Sequence, residues 1–259
     1  MIVAGIDVGG KNVHVVIKKD GQILEKIAGP TGIKKAEAVD QLYNEVLKKA
    51  NLTRKDIERV VATGSSAKRV AFANGAIPDA AADARGVIKL IPTARTVIDV
   101  GAEEGRSIKV GADAKVLDFA INEKCAAGTG TFVEAMARAL EVSVDEMSKI
   151  TLQSTQTLSI NAQCAVFGES EVVSLIHQKI PKPDIARAVM NAIAGRIASV
   201  ARIVGLEKDI VMVGGMAKNA GFVDSLKKNI KMDVLVPEDP DYMGALGAAE
   251  AAAEGIYTE

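Results

Sequence analysis

The chain of 259 residues is 48% hydrophobic and carries 32 Lys and Arg against 33 Asp and Glu, which gives a net charge of −1. This balance provides no basic surface for nucleic acid or for an anionic membrane, and aromatic residues at 3% leave few platforms on which bases could stack. No apolar run reaches the roughly 18–20 residues that a membrane-spanning helix needs, so we expect a globular protein that binds neither nucleic acid nor membrane.

The hydrophobic pattern predicts strands and helices in alternation along the chain, which indicates an α/β fold. Three strands are expected first, at MIVAGIDV, VHVVIKKDG and QILEKIA, with a turn at Asp20–Gly21. Further strands are predicted at Val60–Thr63, Thr96–Val100, Ser107–Val110, Lys115–Ile121 and Ile210–Val213. Helices are predicted at Ile33–Ala50, Asp79–Ile91, Thr129–Leu140, Glu169–Gln178, Asp184–Val204, Gly221–Lys228 and Met243–Glu254. Pro181 and Pro183 mark the start of the longest helix, for which Asp184 is the expected cap.

An aspartate followed by a small-residue turn occurs twice at the end of a predicted strand. The segment Ile6-Asp7-Val8-Gly9-Gly10 precedes the strand VHVVIKK, and Ile98-Asp99-Val100-Gly101-Ala102 precedes SIKV. Glycine lets the backbone approach phosphate oxygens closely, and a carboxylate at a strand end can hold Mg²⁺ through water. One such turn is ordinary hairpin chemistry, whereas its duplication favours a site for phosphate and magnesium.

A third glycine turn follows the buried strand Ile210–Val213 and reads Gly214-Gly215-Met-Ala-Lys-Asn-Ala-Gly221. It could lie against a nucleobase or ribose, or it could be a plain loop between a strand and a helix. The chain has no G-x-x-x-x-G-K-[ST] and no G-x-G-x-x-G between a strand and a helix. A P-loop and a Rossmann fingerprint are therefore both excluded.

The two cysteines of the chain each precede a helix-like stretch. Cys125 opens KCAAGTGTFVEAMARAL and Cys164 opens QCAVFGESEVVSLIHQK. A helix N-terminus stabilises a thiolate, or the anionic cluster that thiolates bind. A cubane iron–sulfur cluster needs four thiolates, so two chains would complete one site. The alternative is that both cysteines are small buried hydrophobic residues.

Two other roles for the cysteines are disfavoured. The N-terminus lacks the pattern of a secretory signal, so we expect a reducing compartment and no structural disulfide. With only His14 and His177 as further ligands, no spacing typical of a zinc site occurs.

These motifs together resemble the activator ATPases of 2-hydroxyacyl-CoA dehydratases and the ATPase subunits of benzoyl-CoA reductases, in the superfamily of sugar kinases, heat-shock chaperones and actin. DVGG, DVGA and VGGMAKNAG resemble its two phosphate loops and its adenosine loop, in this order. KCAAGTGTF, QCAVFGESEV and the closing GALGAA are the most specific part, and the resemblance runs from Ile2 to about Ala253.

The resemblance implies two ribonuclease H-like domains of the actin-like ATPase type, with ATP or ADP and Mg²⁺ in the cleft between them. Domain I would comprise residues 1–94 and 240–259, and domain II residues 95–239. A homodimer, or a heterodimer with a related ATPase subunit, would share one [4Fe–4S] cluster held by Cys125 and Cys164 of each chain. In the cytoplasm, the protein would take electrons from ferredoxin or flavodoxin and drive their transfer to an acyl-CoA dehydratase or reductase component.

Site residues are implied by position in the same way. Asp7, Asp99 and Glu103 would be the catalytic carboxylates. The glycine-rich segments would hold the nucleotide: Gly9, Gly10 and Lys11 in the first phosphate loop, Gly101 in the second, Gly128, Thr129 and Gly130 near the phosphates, and Gly214, Gly215 and Asn219 beside the adenosine.

The chain also departs from the family pattern. Many activators have a hydroxyl residue where this chain has Gly10 and Lys11, and their second loop often reads D-x-G-G-Q-D, where this chain has DVGAEEG. These departures leave open which carboxylate positions the attacking water. The segment VGAEEGRSIKV is closer to the benzoyl-CoA reductase type. Two alternatives remain, namely a sugar or carboxylate kinase without a cluster, which would need a carboxylate base, and an actin-type binding or filament protein.

Overall fold

The computed structural model describes residues 1–122, 129–160 and 165–258, and these form two α/β units. The first unit comprises Met1–Val97, Val110–Leu117 and Asp241–Glu259, and the second comprises Ile98–Lys109 and Asp118–Pro240. The α/β class predicted from the sequence is confirmed, and it arises from two sheets, each with helices of its own. The domain division at residues 94 and 240 stays a prediction.

The sheet of the first unit has the strand order β3-β2-β1-β4-β5. Strands β1, β2 and β3 form antiparallel hairpins, and β4 and β5 continue the sheet parallel to β1. The register places Asp7 of β1 opposite His14 of β2 and Thr63 of β4. The strands are β1 Ile2–Val8, β2 Asn12–Lys19, β3 Gln22–Pro30, β4 Arg59–Thr63 and β5 Gly75–Ala76.

The second sheet repeats this order. Its strands follow one another as β8-β7-β6-β9, so three consecutive strands again lie side by side and a later strand joins next to the first of them. The strands are β6 Thr96–Val100, β7 Gly105–Val110, β8 Val116–Ile121 and β9 Ile210–Val213. The repetition places the ends of β1 and β6 at equivalent points of their sheets.

The helices of the described residues mostly coincide with the apolar periodicity of the sequence. Two elements are additions, namely the short helix α4 and the two-residue strand β5. Helix α4 begins at a Ser143 cap whose hydroxyl accepts from the Glu146 N–H at 3.1 Å, but its eight residues are too few for a clear period. The helices are α1 Lys35–Lys49, α2 Asp79–Leu90, α3 Gly130–Ala139, α4 Val144–Thr151, α5 Ala165–His177, α6 Lys182–Val204, α7 Ala220–Ile230 and α8 Met243–Glu254.

The expected cap of the long helix is wrong. Helix α6 begins at Lys182 after Pro181, so Asp184 lies inside its first turn. The carboxylate of Asp184 instead accepts hydrogen bonds from the Ser154 hydroxyl at 2.9 Å and from two main-chain N–H groups of the segment that follows. Burial alone would raise the pKa of Asp184, but these three hydrogen bonds outweigh it and hold the pKa below its usual range.

Both faces of the first sheet are covered, which explains why its strands read as continuous apolar runs. Along β1, Ala4, Ile6 and Val8 point into a core that includes Val39 and Tyr43 of α1. The alternate residue Val3 packs with alanines of α8 on the opposite face. Asp7 alternates with Ile6 and Val8 and therefore belongs to the α8 face.

Helix α8 approaches its neighbours closely through small side chains. A Cβ at Gly247 would overlap the Ala82 carbonyl of α2, so α8 and α2 can pack at this distance only with glycine there. The alanine-rich closing segment is thus a packed helix, as the sequence predicts. Its first turn lies beside Asp7.

The core of the second unit surrounds α6, whose inward side carries Ile185, Val189, Ile193 and Ile197. This core also takes in Phe132 of α3 and apolar residues of β6, β9 and α7. Among the described residues, no helix combines the length and the apolar character that crossing a membrane would require.

Candidate nucleotide site

The first aspartate turn joins β1 to β2 and is held by its own backbone and by Thr31. The Gly9 N–H donates to the Asn12 carbonyl at 3.0 Å, which closes the turn. Buried Thr31 fastens it from below, because its hydroxyl donates to the Gly9 carbonyl at 3.0 Å and its N–H to the Lys11 carbonyl at 2.7 Å. The tip of the turn, from Gly9 to Lys11, is therefore fixed while remaining at least partly exposed.

Asp7, at the base of this turn, is packed against two glycines. Gly64 follows β4 with φ +92°, and a Cβ there would overlap the Asp7 Oδ1 atom and the Val8 carbonyl. A Cβ at Gly244, in the first turn of α8, would lie 2.8 Å from Asp7 Oδ2. The conformation of Gly64 is held by Asp79, whose Oδ1 accepts from the Gly64 N–H at 2.6 Å. Only glycine at both positions leaves room for the carboxylate.

The second turn joins β6 to β7 and has the same closure. The Gly101 N–H donates to the Glu104 carbonyl at 2.9 Å. The start of α3 is bonded to this turn, because the Gly130 N–H donates to the Gly101 carbonyl at 3.0 Å and the Thr131 hydroxyl donates to the Ala102 carbonyl at 2.8 Å. The turn is therefore built onto the N-terminus of α3.

Asp99 occupies the place in the second turn that Asp7 has in the first. Gly214 follows β9 with φ +82°, and a Cβ there would overlap the Asp99 Oδ1 atom and the Val100 carbonyl. In the second turn, the buried Arg106 guanidinium lies 3.4 Å from Asp99 Oδ2 and donates to Glu104 at 2.9 Å.

The two turns thus share one construction, and the duplication predicted from the sequence is confirmed as a structural fact. Each has an aspartate next to the last residue of its strand, a closing N–H two residues later, and a positive-φ glycine from the neighbouring strand against the carboxylate. Within the described part of the chain, the main-chain N–H groups of Gly10, Ala102 and Glu103 donate no hydrogen bond. Such N–H groups beside a carboxylate suit a phosphate with its magnesium ion.

The third glycine turn belongs to the second unit and begins at the same Gly214. Its N–H donates to the Pro240 carbonyl at 2.9 Å, and the space around a Cβ at Gly215 is open. Asn219 is buried and caps α7, because its Oδ1 accepts from the Phe222 N–H at 2.9 Å. Its Nδ2 has no hydrogen-bond partner among the described residues.

Comparison with known proteins gives the family. The sequence pattern of the BadF/BadG/BcrA/BcrD ATPase family matches residues 4–252. The chain belongs to this family. It is 38% identical to an activator of lactoyl-CoA dehydratase from Anaerotignum propionicum, over 98% of each chain. It is 32% identical to one subunit of the benzoyl-CoA reductase from Thauera aromatica, over 96% of this chain and 92% of that one.

A solved structure supports the fold. The activator of the 2-hydroxyisocaproyl-CoA dehydratase from Clostridium difficile, with bound ADPNP, superposes with a TM-score of 0.92 at 34% identity, over 99% of this chain and 96% of that one. The family predicted from the motifs is confirmed. The segment VGAEEGRSIKV is closer to the reductase type, but the chain as a whole is not. Its identity to the lactoyl-CoA dehydratase activator, 38%, is higher than its identity to the benzoyl-CoA reductase subunit, 32%.

Several predicted site residues lie outside the described residues, namely Cys125, Cys164 and Gly128. Among the described residues, no group of three or more His, Cys, Asp and Glu side chains is placed to hold a metal ion. Thr129 and Gly130 were predicted to lie near the phosphates together with Gly128. Thr129 is buried, and its hydroxyl lies 3.1 Å from that of Thr131. The Gly130 N–H donates to the Gly101 carbonyl of the second turn.

Four residues around the turns were not anticipated from the sequence: Thr31, Asp79, Glu104 and Arg106. Thr31 and Asp79 act across distances in the chain that no local pattern encodes. The pairing of Arg106 with Glu104 could have been predicted from the sequence. The arginine follows the glutamate by two residues, just before the predicted strand Ser107–Val110. Glu103, the predicted catalytic carboxylate, is exposed at the tip of the second turn.

Proposed function

We propose that the protein hydrolyses ATP with Mg²⁺ and couples this hydrolysis to low-potential electron transfer into an acyl-CoA dehydratase or a benzoyl-CoA reductase. The observation that carries the proposal is the duplicated aspartate turn, with Asp7 against Gly64 and Asp99 against Gly214, in a member of an ATPase family. ADPNP bound to the similar activator from Clostridium difficile supports a nucleotide as the ligand.

In this proposal each turn has a defined part. Carboxylate oxygens are the ligands that Mg²⁺ prefers, so Asp7 and Asp99 would hold the ion through its water molecules. The free N–H groups of Gly10 and Ala102 would donate to phosphate oxygens, and Lys11 would add a positive charge. Gly214 and Gly215 would border the adenosine, where the open space around Gly215 leaves room for a flat ring.

Glu103 is the proposed residue that positions the attacking water. It is exposed at the tip of the second turn, next to the unbonded N–H of Ala102, whereas Glu104 is occupied by Arg106. A carboxylate there can accept a proton from water, and general bases of this kind contribute about 10²–10⁴-fold to a rate.

The donor set fits one [4Fe–4S] cluster shared by two chains. Each chain has two cysteines, Cys125 and Cys164, and a cubane cluster takes four thiolates. Such a cluster supplies one-electron transfer at low potential. The second pair of cysteines would come from an identical chain or from a related ATPase subunit.

The partner is proposed from the relatives. One is an activator of lactoyl-CoA dehydratase and another belongs to a benzoyl-CoA reductase, and these names place both in systems that act on acyl-CoA thioesters. We propose the same class of partner here, with ferredoxin or flavodoxin as the electron donor and the cytoplasm as the compartment. The balanced surface charge accords with a protein partner rather than with nucleic acid.

Anaerobic purification tests the proposal. Wild-type protein should be brown and contain about two iron and two sulfide per chain, as one cluster per two chains requires. Cys125→Ser and Cys164→Ser should each lose the iron while their affinity for a non-hydrolysable ATP analogue stays within a few-fold, since neither cysteine belongs to the aspartate turns. Colourless wild-type protein that phosphorylates a sugar or a carboxylate would instead establish a kinase.

A further inference from the structure

A cavity of about 680 Å³ lies within the first unit, outside the residues assigned to the nucleotide. It opens at the carboxyl ends of the parallel strands β4 and β5, the edge at which open α/β sheets bind ligands. Its volume is within the range of small-molecule sites, roughly 300–1,000 Å³. The lining comes from the loop after β4, the residues of β5 and the segment after it, and the C-terminal end: Gly64–Arg69, Ala76–Pro78 and Thr258.

Two cations and three hydroxyl side chains, those of Ser65, Ser66 and Thr258, line this cavity. Lys68 and Arg69 are exposed, and neither has an acidic partner among the residues that the structure describes. Ser65 is also exposed, and the Ser66 hydroxyl accepts from the Lys35 ammonium at 2.8 Å. Lys35 thus brings a third positive charge close to the wall.

The carboxylate that comes next to the cavity in the chain is already engaged. Asp79 follows the lining residue Pro78, and its Oδ1 accepts from the Gly64 N–H at 2.6 Å and from the Thr63 hydroxyl at 3.1 Å. It holds the loop, and among the described residues no ion pair joins it to Lys68 or Arg69. The cavity therefore presents two positive charges with donors around them.

We infer that this cavity binds the phosphate group of a small phosphorylated molecule, at a site separate from the nucleotide. A phosphate monoester carries nearly two negative charges and several acceptor oxygens, which matches Lys68, Arg69 and the seryl hydroxyls. The guanidinium of Arg69 can bind two of these oxygens at once. The remaining volume accommodates the organic part of the molecule.

This site also has a physical connection to the first aspartate turn. Gly64 contributes to the cavity wall and packs against Asp7, and the Ser66 N–H donates to the Val8 carbonyl at 3.1 Å. A ligand that orders the loop Gly64–Arg69 would therefore stabilise the surroundings of Asp7. The inference does not depend on the proposed ATPase activity, because the binding can be measured by itself.

The test is a calorimetric titration of the full chain with inorganic phosphate and with glucose 6-phosphate, in a phosphate-free buffer. The protein is first saturated with a non-hydrolysable ATP analogue, so that the nucleotide site is occupied. We expect both probes to bind once per chain and glucose not to bind. The double variant Lys68→Gln/Arg69→Gln should weaken binding by about tenfold or more, since two charge-assisted interactions are lost.

A matched control is Lys48→Gln/Lys55→Gln, which removes the same charge from two exposed positions of the first unit outside the cavity. This control should bind both probes as the wild type does. The variant Ser65→Phe fills the cavity without changing the charge, and it should no longer bind either probe. The inference is overturned if the wild type binds neither probe, or if both double variants weaken binding equally. It is also overturned if Lys68→Gln/Arg69→Gln weakens the binding of the ATP analogue as much as it weakens the binding of the phosphate probes.

Discussion

The two aspartates of the duplicated turn have equivalent positions, and each has close neighbours of its own. Asp99 lies 3.4 Å from the buried Arg106 guanidinium, whereas the carboxylate of Asp7 is packed between Gly64 and Gly244. In the proposed function, an ion held by Asp99 would therefore meet a partly neutralised carboxylate. Arg106 also ties Glu104 to the same point, so the charge on the second turn depends on three side chains.

Replacing either aspartate should abolish most of the ATPase activity. Asp7→Asn and Asp99→Asn should each lower kcat by a factor of about 10² or more, because fixed charges around a transferring phosphoryl group supply much of the catalysis. Asp118→Asn, which removes a carboxylate from an exposed position of β8, should leave kcat unchanged. Near-normal turnover in the Asp7 and Asp99 variants would contradict their place at the metal.

The glycine against Asp7 can be tested with a control that separates strain from overlap. Gly64→Ala should destabilise the protein by about 1–3 kcal/mol and lower the ATPase activity, since its Cβ would displace the Asp7 carboxylate. Gly21 has a similar φ of +85°, but a Cβ there meets nothing within 4 Å. Gly21→Ala should therefore lower the stability only through backbone strain at its positive φ, and the variant should keep full ATPase activity. Equal activities for the two variants would show that Asp7 does not need this packing.

Glu103 is tested by Glu103→Gln. The change removes a base while keeping the side-chain volume, so we expect kcat to fall by about tenfold or more with little change in the affinity for the ATP analogue. The readout is single-turnover hydrolysis at saturating ATP. Unchanged hydrolysis would mean that another group positions the water.

At the scale of the element, helix α8 fixes the surroundings of Asp7 through close packing. Gly247→Ala should destabilise the first unit by at least about 1–3 kcal/mol, because its Cβ would overlap the Ala82 carbonyl. The helical Gly195 of α6 is a matched control, since a Cβ there would lie 3.4 Å from the Asn229 Oδ1 atom. Gly195→Ala should be neutral or stabilising by up to about 1 kcal/mol through helix propensity. Urea unfolding measures both, and a Gly247→Ala variant as stable as wild type would contradict the close packing.

The sequence was sufficient for elements whose pattern is local. The strands β1, β6 and β9 are continuous apolar runs because their sheets are covered on both faces, and both aspartate turns follow directly from them. Helix α4 and strand β5 were missed because eight and two residues carry little periodicity. The roles of Asp184 and Arg106 were missed because their partners come from tertiary packing.

The third glycine turn shows another reason why the sequence alone does not define the site. Asn219 was assigned to the adenosine because of its place in the motif, yet the same asparagine begins a helix and caps it through Phe222. A cap and a ligand contact draw on the same residue type, so the sequence could not separate them. Because the Nδ2 of Asn219 has no partner within the described part of the chain, the cap and a contact with the ligand are compatible.

At the scale of the whole molecule, the proposed function requires that nucleotide binding and the proposed cluster be coupled. The second unit contains the Asp99 turn and the third glycine turn, and its α5 begins directly after Cys164 in the chain. If the nucleotide changes the affinity of the protein for the cluster, loss of the cluster must change the nucleotide affinity by the same factor, which the cysteine variants would show as a change of no more than a few-fold.

The most direct measurement is the rate at which a chelator extracts iron from anaerobically purified protein. The rate is measured without nucleotide, with ADP, and with a non-hydrolysable ATP analogue. Coupling predicts that the analogue changes the rate clearly and that ADP changes it less, and that Asp7→Asn abolishes the difference by weakening the nucleotide site. Three identical rates in the wild type would contradict the claim and leave a cluster that ATP does not control.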